Sequence, residues 1–368
     1  MPDLYIGLMS GTSLDGVDGV LADFSPTSPL VIEHASAPFP AELRAELLRL
    51  NTSGPDELHR AALAGNALMR VYAQVVGELL VSARVSGSIR AIGAHGQTVR
   101  HRPQDFDGTG YTLQLCQPAL LAELTGIDVV ADFRSRDVAA GGQGAPLAPL
   151  FHQGVFGRPG ESVGVLNIGG IANVTLLRAD GSMLGFDCGP GNCLMDAWCA
   201  QHTGRAYDAE GSWAATGSPL PALLELLLAE SYFRKPPPKS TGRDLFNPAW
   251  LQERLQGFSA AAPADVQATL AELTARACTA DVLQHEPGLR RLIVCGGGVL
   301  NVHLMRRLQA LLPDAQVSSS ADWGLPPLQV EAMAFAWLAR KTVRREKLQL
   351  QSITGAKGAR VLGCLYPA

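Results

Sequence analysis

The apolar positions of this chain fall into short strand-like runs that alternate with longer stretches of helical periodicity. In the first part of the chain, apolar runs predict strands at 4–9, at a segment ending at 24, and at 30–34, 90–94, 112–116 and 128–131. Apolar residues at three- and four-residue spacing predict helices over 40–50 and 56–85, and a further helix from 118. Strands interleaved with helices indicate an α/β fold.

The second half repeats the opening order of strand, glycine turn, strand and strand. Strands are predicted at 163–168, 174–177, 183–187 and 292–295, and helices at 192–202, 220–230, 248–255, 264–285, from 301, and at 330–347. Because the same unit opens both halves, we predict two similar α/β domains that face each other across a cleft. We expect residues 1–127 with 340–368 to form the first domain and residues 128–339 to form the second.

Composition and charge narrow the classes of partner. Hydrophobic residues make up 47% and charged residues 17% of the 368 residues, which indicates a well-buried globule without long disordered tracts. The net charge is -4 and no dense run of Lys and Arg occurs, which argues against nucleic acid or anionic membranes and favours a small-molecule partner. No apolar run reaches the ~18 residues of a membrane-spanning helix, and no secretory signal pattern is visible, so we expect a cytoplasmic protein.

The seven cysteines include no Cys-x-x-Cys pair, which favours reduced thiols over metal ligation or disulfides.

Glycine clusters beside the predicted strands are the first candidate sites. The hairpin at 11–18 offers backbone N–H groups and hydroxyls to a phosphate, and its Asp15 and Asp18 could hold Mg²⁺ directly or through water. It matches neither a Walker A loop nor a dinucleotide-binding glycine motif, and by itself it could equally be an ordinary turn. The second glycine hairpin and the glycine run after 295 favour phosphate and nucleotide binding. The candidates are Gly11, Thr12, Ser13, Leu14, Asp15, Gly16, Val17, Asp18, Gly169, Gly170, Gly296, Gly297 and Gly298.

Four further side chains are candidates for chemistry or substrate contact. Asp187 ends an apolar strand before a glycine and proline turn, which suits a general base, although Asp also caps helices. Arg136 lies in a segment with two Arg and two Asp and could bind a carboxylate, or belong to a salt-bridged loop. Glu331 lies at the start of a predicted helix, where its carboxylate could contact substrate or interact favourably with the helix dipole. His95 suits a polar contact better than zinc.

Eight motifs, taken together, resemble the anhydro-N-acetylmuramic acid kinase family across nearly the whole chain. The motifs are 9–18 (MSGTSLDGVD), 94–98 (AHGQT), 132–137 (DFRSRD), 167–173 (NIGGIAN), 186–192 (FDCGPGN), 239–243 (KSTGR), 295–298 (CGGG) and 354–357 (TGAK). Two departures are visible, since Cys188 stands where we expect Thr and Cys116-Gln117 replaces Gly-Asp.

The resemblance implies two ribonuclease H-like domains of the sugar kinase, Hsp70 and actin superfamily, with ATP bound between them. It implies that ATP, water and 1,6-anhydro-N-acetylmuramic acid give ADP and N-acetylmuramic acid 6-phosphate, in the recycling of cell-wall amino sugars. Asp187 matches the family's base, and the glycine residues named above would hold ATP with Mg²⁺. Arg136 would bind the lactyl carboxylate, and Glu331 and His95 would contact the sugar. The family also suggests a homodimer.

Three other functions remain open on the sequence alone. A chaperone or polymerising ATPase of the same superfamily would need a peptide-binding or polymerisation element, which the sequence does not show. A kinase for an ordinary hexose would deprotonate a sugar hydroxyl directly and would not add solvent water to its product. A sugar sensor would normally carry a DNA-binding element, and no helix-turn-helix pattern precedes the first hairpin.

Overall fold

The computed structural model describes residues 2–11, 14–83, 87–243 and 245–368. The strands are β1 (Leu4–Met9), β2 (Gly16–Asp23), β3 (Leu30–Pro38), β4 (Ala91–Ala94), β5 (Gln97–Pro103), β6 (Gly110–Leu115), β7 (Val129–Ala131), β8 (Val163–Ile168), β9 (Ile171–Leu177), β10 (Met183–Pro190), β11 (Arg291–Cys295), β12 (Gln316–Ser319) and β13 (Cys364–Tyr366). The helices are α1 (Ala41–Arg49), α2 (Glu57–Ala83), α3 (Pro118–Thr125), α4 (Ser135–Ala139), α5 (Ala148–Phe156), α6 (Cys193–Thr203), α7 (Pro221–Leu228), α8 (Pro248–Arg254), α9 (Pro263–His285), α10 (Val302–Leu311), α11 (Val330–Val343) and α12 (Gln351–Thr354).

The chain forms two α/β units, as the repeated pattern predicts. The first unit contains Met1–Phe151 and Gln329–Ala368, and the second contains His152–Leu328. In the first unit the sheet order is β13-β7-β4-β1-β2-β3, and in the second it is β10-β9-β8-β11-β12. In each sheet the first three strands run antiparallel to one another. Two further strands, β4 and β7 in the first unit and β11 and β12 in the second, run parallel to the first strand. Apart from β13, the two sheets therefore share the strand order of a ribonuclease H-like domain.

The boundaries of the units differ from those expected. The expected break after residue 127 separates β7 from β4, with which it forms parallel ladder pairs. The expected break after 339 cuts through α11, which packs on β1 and β4 of the first unit. Because β7 extends the sheet of the first unit and α11 covers it, both belong to that unit. The first unit therefore extends to Phe151 and resumes at Gln329. Three strands were also missed: β5, whose polar residues break the apolar alternation, and the short strands β12 and β13.

Apolar strands and helix faces build a separate core in each unit. Every residue of β8 is buried, as expected of a central strand covered on both faces. Fifteen of the residues of α9 are buried, so this helix runs through the core of the second unit. Within the described residues, no helix combines the length and apolarity needed to cross a membrane. All seven cysteines are free thiols.

Two glycines let a helix lie directly on the central strands of the first unit. A Cβ on Gly7 of β1 would stand 1.9 Å from the carbonyl oxygen of Ala332, and a Cβ on Gly93 of β4 would stand 2.1 Å from that of Phe335. Real Cβ atoms do not approach backbone this closely, so any other residue would push α11 away from the sheet.

We therefore expect Gly93→Ala to destabilise the first unit by about 1–3 kcal/mol, the usual cost of overpacking a core. The matched control is Gly77→Ala in α2, where nothing lies within 4 Å of the new methyl group. Because alanine favours the helix over glycine, the control should gain about 0.5–1 kcal/mol. Urea and thermal unfolding midpoints measure both changes, and equal midpoints for the two variants would contradict the packing argument.

Candidate active site

Two glycine turns of the second unit cross each other at the carboxyl end of β8. The N–H of Asn192, which precedes α6, donates to the carbonyl oxygen of Gly169 at 2.8 Å, and that of Gly191 donates to Gly170 at 2.9 Å. A Cβ on Gly191 would stand 2.3 Å from the Gly169 oxygen. The guanidinium of Arg243 lies 3.3 Å from where a Cβ on Gly170 would be. Arg243 therefore brings a positive charge to this turn, as an anion site requires.

Asp187 lies at the end of β10, where the ladder with β9 has a bulge between Asp187 and Gly189. Its Oδ2 accepts a hydrogen bond of 3.0 Å from the N–H of Thr241. Burial raises the pKa of its carboxyl group to about 6, while the Thr241 N–H and the positive charge of Lys239 act in the opposite direction. Such a group is ionised at neutral pH and basic enough to accept a proton, which suits a general base.

The glycine run after β11 has two structural positions and one open position. Gly296 has a φ of 79°, and a Cβ there would stand 2.4 Å from Oδ1 of Asn167. A Cβ on Gly298 would stand 2.4 Å from the side chain of Ile168. Gly297 instead is exposed and lines a cavity. Packing against β8 thus explains Gly296 and Gly298, and only Gly297 faces a space that a ligand could enter.

The cavity beside Gly297 has a volume of about 310 Å³. The side chains of Met195, Tyr207 and Leu300 give it apolar walls, and Asp196 and Asp208 contribute carboxylates. Burial raises the pKa of Asp196 to about 6; the guanidinium of Arg243 lowers this pKa, and Asp208 raises it. Apolar walls with a few polar groups are typical of a small-molecule site.

In the first unit, His95, Arg134 and Glu331 form a polar cluster. His95 Nε2 accepts hydrogen bonds from the Arg134 guanidinium at 3.0 and 3.3 Å, so its Nδ1 carries the proton and donates to the carbonyl oxygen of Ser10 at 3.2 Å. Burial and the charge of Arg134 lower the pKa of His95 to about 3. Burial lowers the pKa of Arg134 to about 10, against the opposing charges of Glu331 and Asp137. His95 is therefore a neutral support for Arg134.

Glu331 begins α11 with an exposed side chain. Its pKa is nevertheless raised, first by desolvation and then by the carboxylates of Asp18 and Asp15, and the charge of Arg134 opposes this rise. Glu331 and Arg134 therefore carry opposite charges, and each favours the ionised form of the other.

The predicted 11–18 hairpin contains both exposed and structural positions. Asp15 and Asp18 are exposed, and Asp18 lies 3.5 Å from His34 Nε2. Leu14 and Val17 belong to the core, with Leu14 at a φ of 57°, and a Cβ on Gly16 would stand 2.4 Å from the carbonyl oxygen of Ala37. Gly11 accepts a hydrogen bond from the Gln97 amide at 3.0 Å. The predicted contacts Thr12 and Ser13 lie outside the described residues.

A protein-family model for anhydro-N-acetylmuramic acid kinase matches residues 3–368. A relative of that name from Variovorax paradoxus is 63% identical, covering 100% of this chain and 99% of the relative. Its counterpart from Albidiferax ferrireducens is 60% identical over the whole of both chains, and that from Cupriavidus metallidurans is 56% identical, over 99% and 98%. The chain belongs to the anhydro-N-acetylmuramic acid kinase family. The resemblance inferred from the motifs is thereby confirmed.

Among solved structures, the likeness is weaker. The activator of 2-hydroxyisocaproyl-CoA dehydratase from Clostridium difficile, with bound ADPNP, is 11% identical with a TM-score of 0.46, over 93% of this chain and 96% of that chain.

In this kinase, Arg136 lies apart from the cluster of His95, Arg134 and Glu331. Arg136 is exposed on α4 and lines a separate groove of about 460 Å³ with Asp132, Gly363 and Cys364. Two residues earlier, Arg134 is the arginine that contacts His95. Both arginines belong to the 132–137 motif, so the sequence offered Arg134 as well as Arg136. No local pattern shows which of the two side chains points towards His95.

Asp137 and the closing 354–357 motif have a structural role in this kinase. The buried Asp137 carboxylate accepts hydrogen bonds from the Thr354 hydroxyl and from the N–H of Gly144, both at 2.6 Å. The N–H of Gln143 donates to the carbonyl oxygen of Thr354 at 2.8 Å. The C-terminal motif therefore anchors the glycine loop that follows α4, and the carbonyl of Gly144 in turn accepts a bond of 2.9 Å from Arg134.

His95 should make the fold sensitive to acid. Its pKa is about 3 in the folded kinase and 6.5 ordinarily, so below pH 6.5 the unfolded chain binds a proton that the fold excludes. Its stabilising effect is complete above pH 6.5 and is lost as the pH falls towards 3. We expect His95→Gln, whose amide can make both hydrogen bonds, to lose less stability between about pH 7.5 and about pH 4.5 than the wild type does.

Urea midpoints at the two pH values measure this difference. The control is His59→Gln, at an exposed histidine of α2, which should keep the wild-type pH dependence. An unchanged pH dependence in His95→Gln would contradict a neutral, buried imidazole.

Proposed function

We propose that this kinase uses ATP and water to convert 1,6-anhydro-N-acetylmuramic acid into N-acetylmuramic acid 6-phosphate and ADP, as a step in the recycling of cell-wall amino sugars. The observation that carries the proposal is Asp187, an acid at the end of β10 with a raised pKa and one oriented oxygen. Membership of the family supports the substrate and the reaction.

Asp187 acts as the base for the attacking water. The N–H of Thr241 holds Oδ2, and within the described residues Oδ1 has no hydrogen-bond partner. Oδ1 accepts a proton from water as the water oxygen bonds to the anomeric carbon and the bond from that carbon to O6 breaks. The freed O6 then attacks the γ-phosphate of ATP, and ADP leaves. Phosphoryl transfer itself needs positioning and charge neutralisation more than covalent help.

For the nucleotide, we propose that the cavity beside Gly297 takes the nucleoside and that the turn at Gly169 and Gly170 takes phosphate. The cavity's mixed apolar and acidic lining suits a base with an amino group and a ribose with hydroxyl donors. Arg243, beside Gly170, supplies a cation for phosphate oxygens. That the 11–18 hairpin also binds phosphate stays a prediction from the sequence and the family.

Mg²⁺ fits the exposed acids of the hairpin, Asp15 and Asp18. This ion usually binds one or two carboxylates and completes its shell with water and substrate phosphates, so it needs no protein cage. Bound there, the ion would neutralise phosphate charge.

For the sugar, we propose that Arg134 rather than Arg136 binds the lactyl carboxylate, with Glu331 as a hydrogen-bonding neighbour. Arg134 is oriented by His95 and Gly144, which leaves its planar guanidinium fixed for a carboxylate. His95 then acts through Arg134 and does not itself contact the sugar. The homodimer and the cytoplasmic location stay predictions from the family and from the sequence.

The first test is turnover of the purified enzyme with Mg-ATP and 1,6-anhydro-N-acetylmuramic acid in ¹⁸O-labelled water. We expect one labelled oxygen at the anomeric hydroxyl of the sugar phosphate, because water opens the bridge. Mass analysis of the product locates the label. ADP formation without a sugar phosphate, or without dependence on the anhydro sugar, would overturn the proposal, and an unlabelled product would favour an ordinary hexose kinase.

The second test addresses the base. Because Asp187 must be ionised to accept a proton, kcat/KM should fall below about pH 6, and Asp187→Asn should reduce kcat by roughly 10²–10⁴ with ATP binding retained. The matched control is Asp180→Asn in the exposed turn between β9 and β10, which should keep wild-type activity. Steady-state kinetics over pH with ATP titrations provide the measurement, and near-normal turnover by Asp187→Asn would exclude this base.

A further inference from the structure

We propose that Lys239 and Asp281 are positioning residues that together hold the Asp187 carboxylate in place, an inference that rests on the proposed role of Asp187. Neither residue touches the reacting atoms in this scheme. They act through the backbone of the 239–241 segment and through their charges.

The 239–241 segment makes hydrogen bonds to both the backbone and the side chain of Asp187. The N–H of Asp187 donates to the carbonyl oxygen of Lys239 at 3.2 Å, and the N–H of Thr241 donates to Oδ2 of Asp187 at 3.0 Å. The hydroxyl of Tyr232 donates to the carbonyl oxygen of Asp187 at 2.7 Å. The direction of the carboxylate therefore depends on where residues 239 and 241 lie.

The side chain of Lys239 anchors this segment in the core of the second unit. Its side chain is 2% exposed, and its Nζ lies 3.0 Å from both Oδ1 and Oδ2 of Asp281. The same ammonium lies 5.3 Å from the ring centres of Phe186 and Tyr232. A buried ammonium without its carboxylate is costly, so the pair confines Lys239 to one position.

Asp281 supplies the rigid end of this arrangement. It lies on α9, the long helix that runs through the core and packs on β9 and β10. Its side chain is 8% exposed. Support therefore passes from α9 through Asp281 and Lys239 to the base, although residues 239 and 281 are 42 positions apart in the sequence.

The pair also sets the charge around the base. Lys239 and Tyr232, which precede α8 in the chain, face Asp187. The titratable groups around this pair are Asp281, Cys278 and His285 of α9, together with Cys188, which follows Asp187 on β10. Among these groups, Lys239 is the one whose charge lowers the pKa of Asp187. Loss of that charge should raise the pH at which the base becomes active.

The test compares Lys239→Met and the neutral double variant Lys239→Met/Asp281→Asn with the wild type. The double variant leaves no unpaired buried charge, so it remains testable where the single variant does not fold. In both, we expect the acidic limb of kcat/KM to move up by roughly one pH unit and kcat to fall about tenfold or more, with the KM for ATP within about twofold.

The matched control is Glu272→Gln/Arg307→Met, which removes another ion pair made by α9, between the buried Glu272 and the half-buried Arg307, with distances of 2.7 and 3.1 Å. It should lower the unfolding midpoint without moving the acidic limb. If the acidic limb of kcat/KM in the double variant stayed at the wild-type pH, this inference would be overturned, because a purely structural pair changes stability alone. Full activity in Asp187→Asn would instead overturn the base itself, so the two failures are distinguishable.

Discussion

In both units, glycine lets backbone pack directly against backbone. In the first unit α11 lies on Gly7 and Gly93, and in the second the Gly191 turn lies on Gly169. A side chain at any of these positions would separate the elements by more than a core tolerates. Helix α11 can therefore meet β1 and β4, and the Gly191 turn can meet Gly169, only at this spacing.

The same close packing creates the electrostatic character of the candidate site. Polar groups at the strand ends are partly removed from water, and each is then held by a specific partner. His95 stays neutral and orients Arg134, while Asp187 keeps a raised pKa against the opposing charge of Lys239. Burial without these partners would leave unpaired charges, and exposure would leave the base too weak to accept a proton at neutral pH.

Glycine runs in this family's motifs serve two purposes that a sequence cannot separate. Gly296 and Gly298 are needed for packing on β8, whereas Gly297, between them, faces a cavity. Within the 11–18 hairpin, likewise, Leu14 and Val17 fill the core while Asp15 and Asp18 are exposed. Neighbouring residues of one motif therefore divide between packing and exposure, and the tertiary contacts of each residue decide which of the two it serves.

The sequence by itself determined the two α/β units, the position of most helices and strands, and the acid at the end of β10. These features follow from apolar periodicity and glycine placement, which act over a few neighbouring residues. Only the tertiary structure decided that Arg134 rather than Arg136 meets His95, that β7 and α11 belong to the first unit, and that Lys239 pairs with Asp281. Those outcomes depend on which distant side chains share a buried space, and no short-range pattern carries that information.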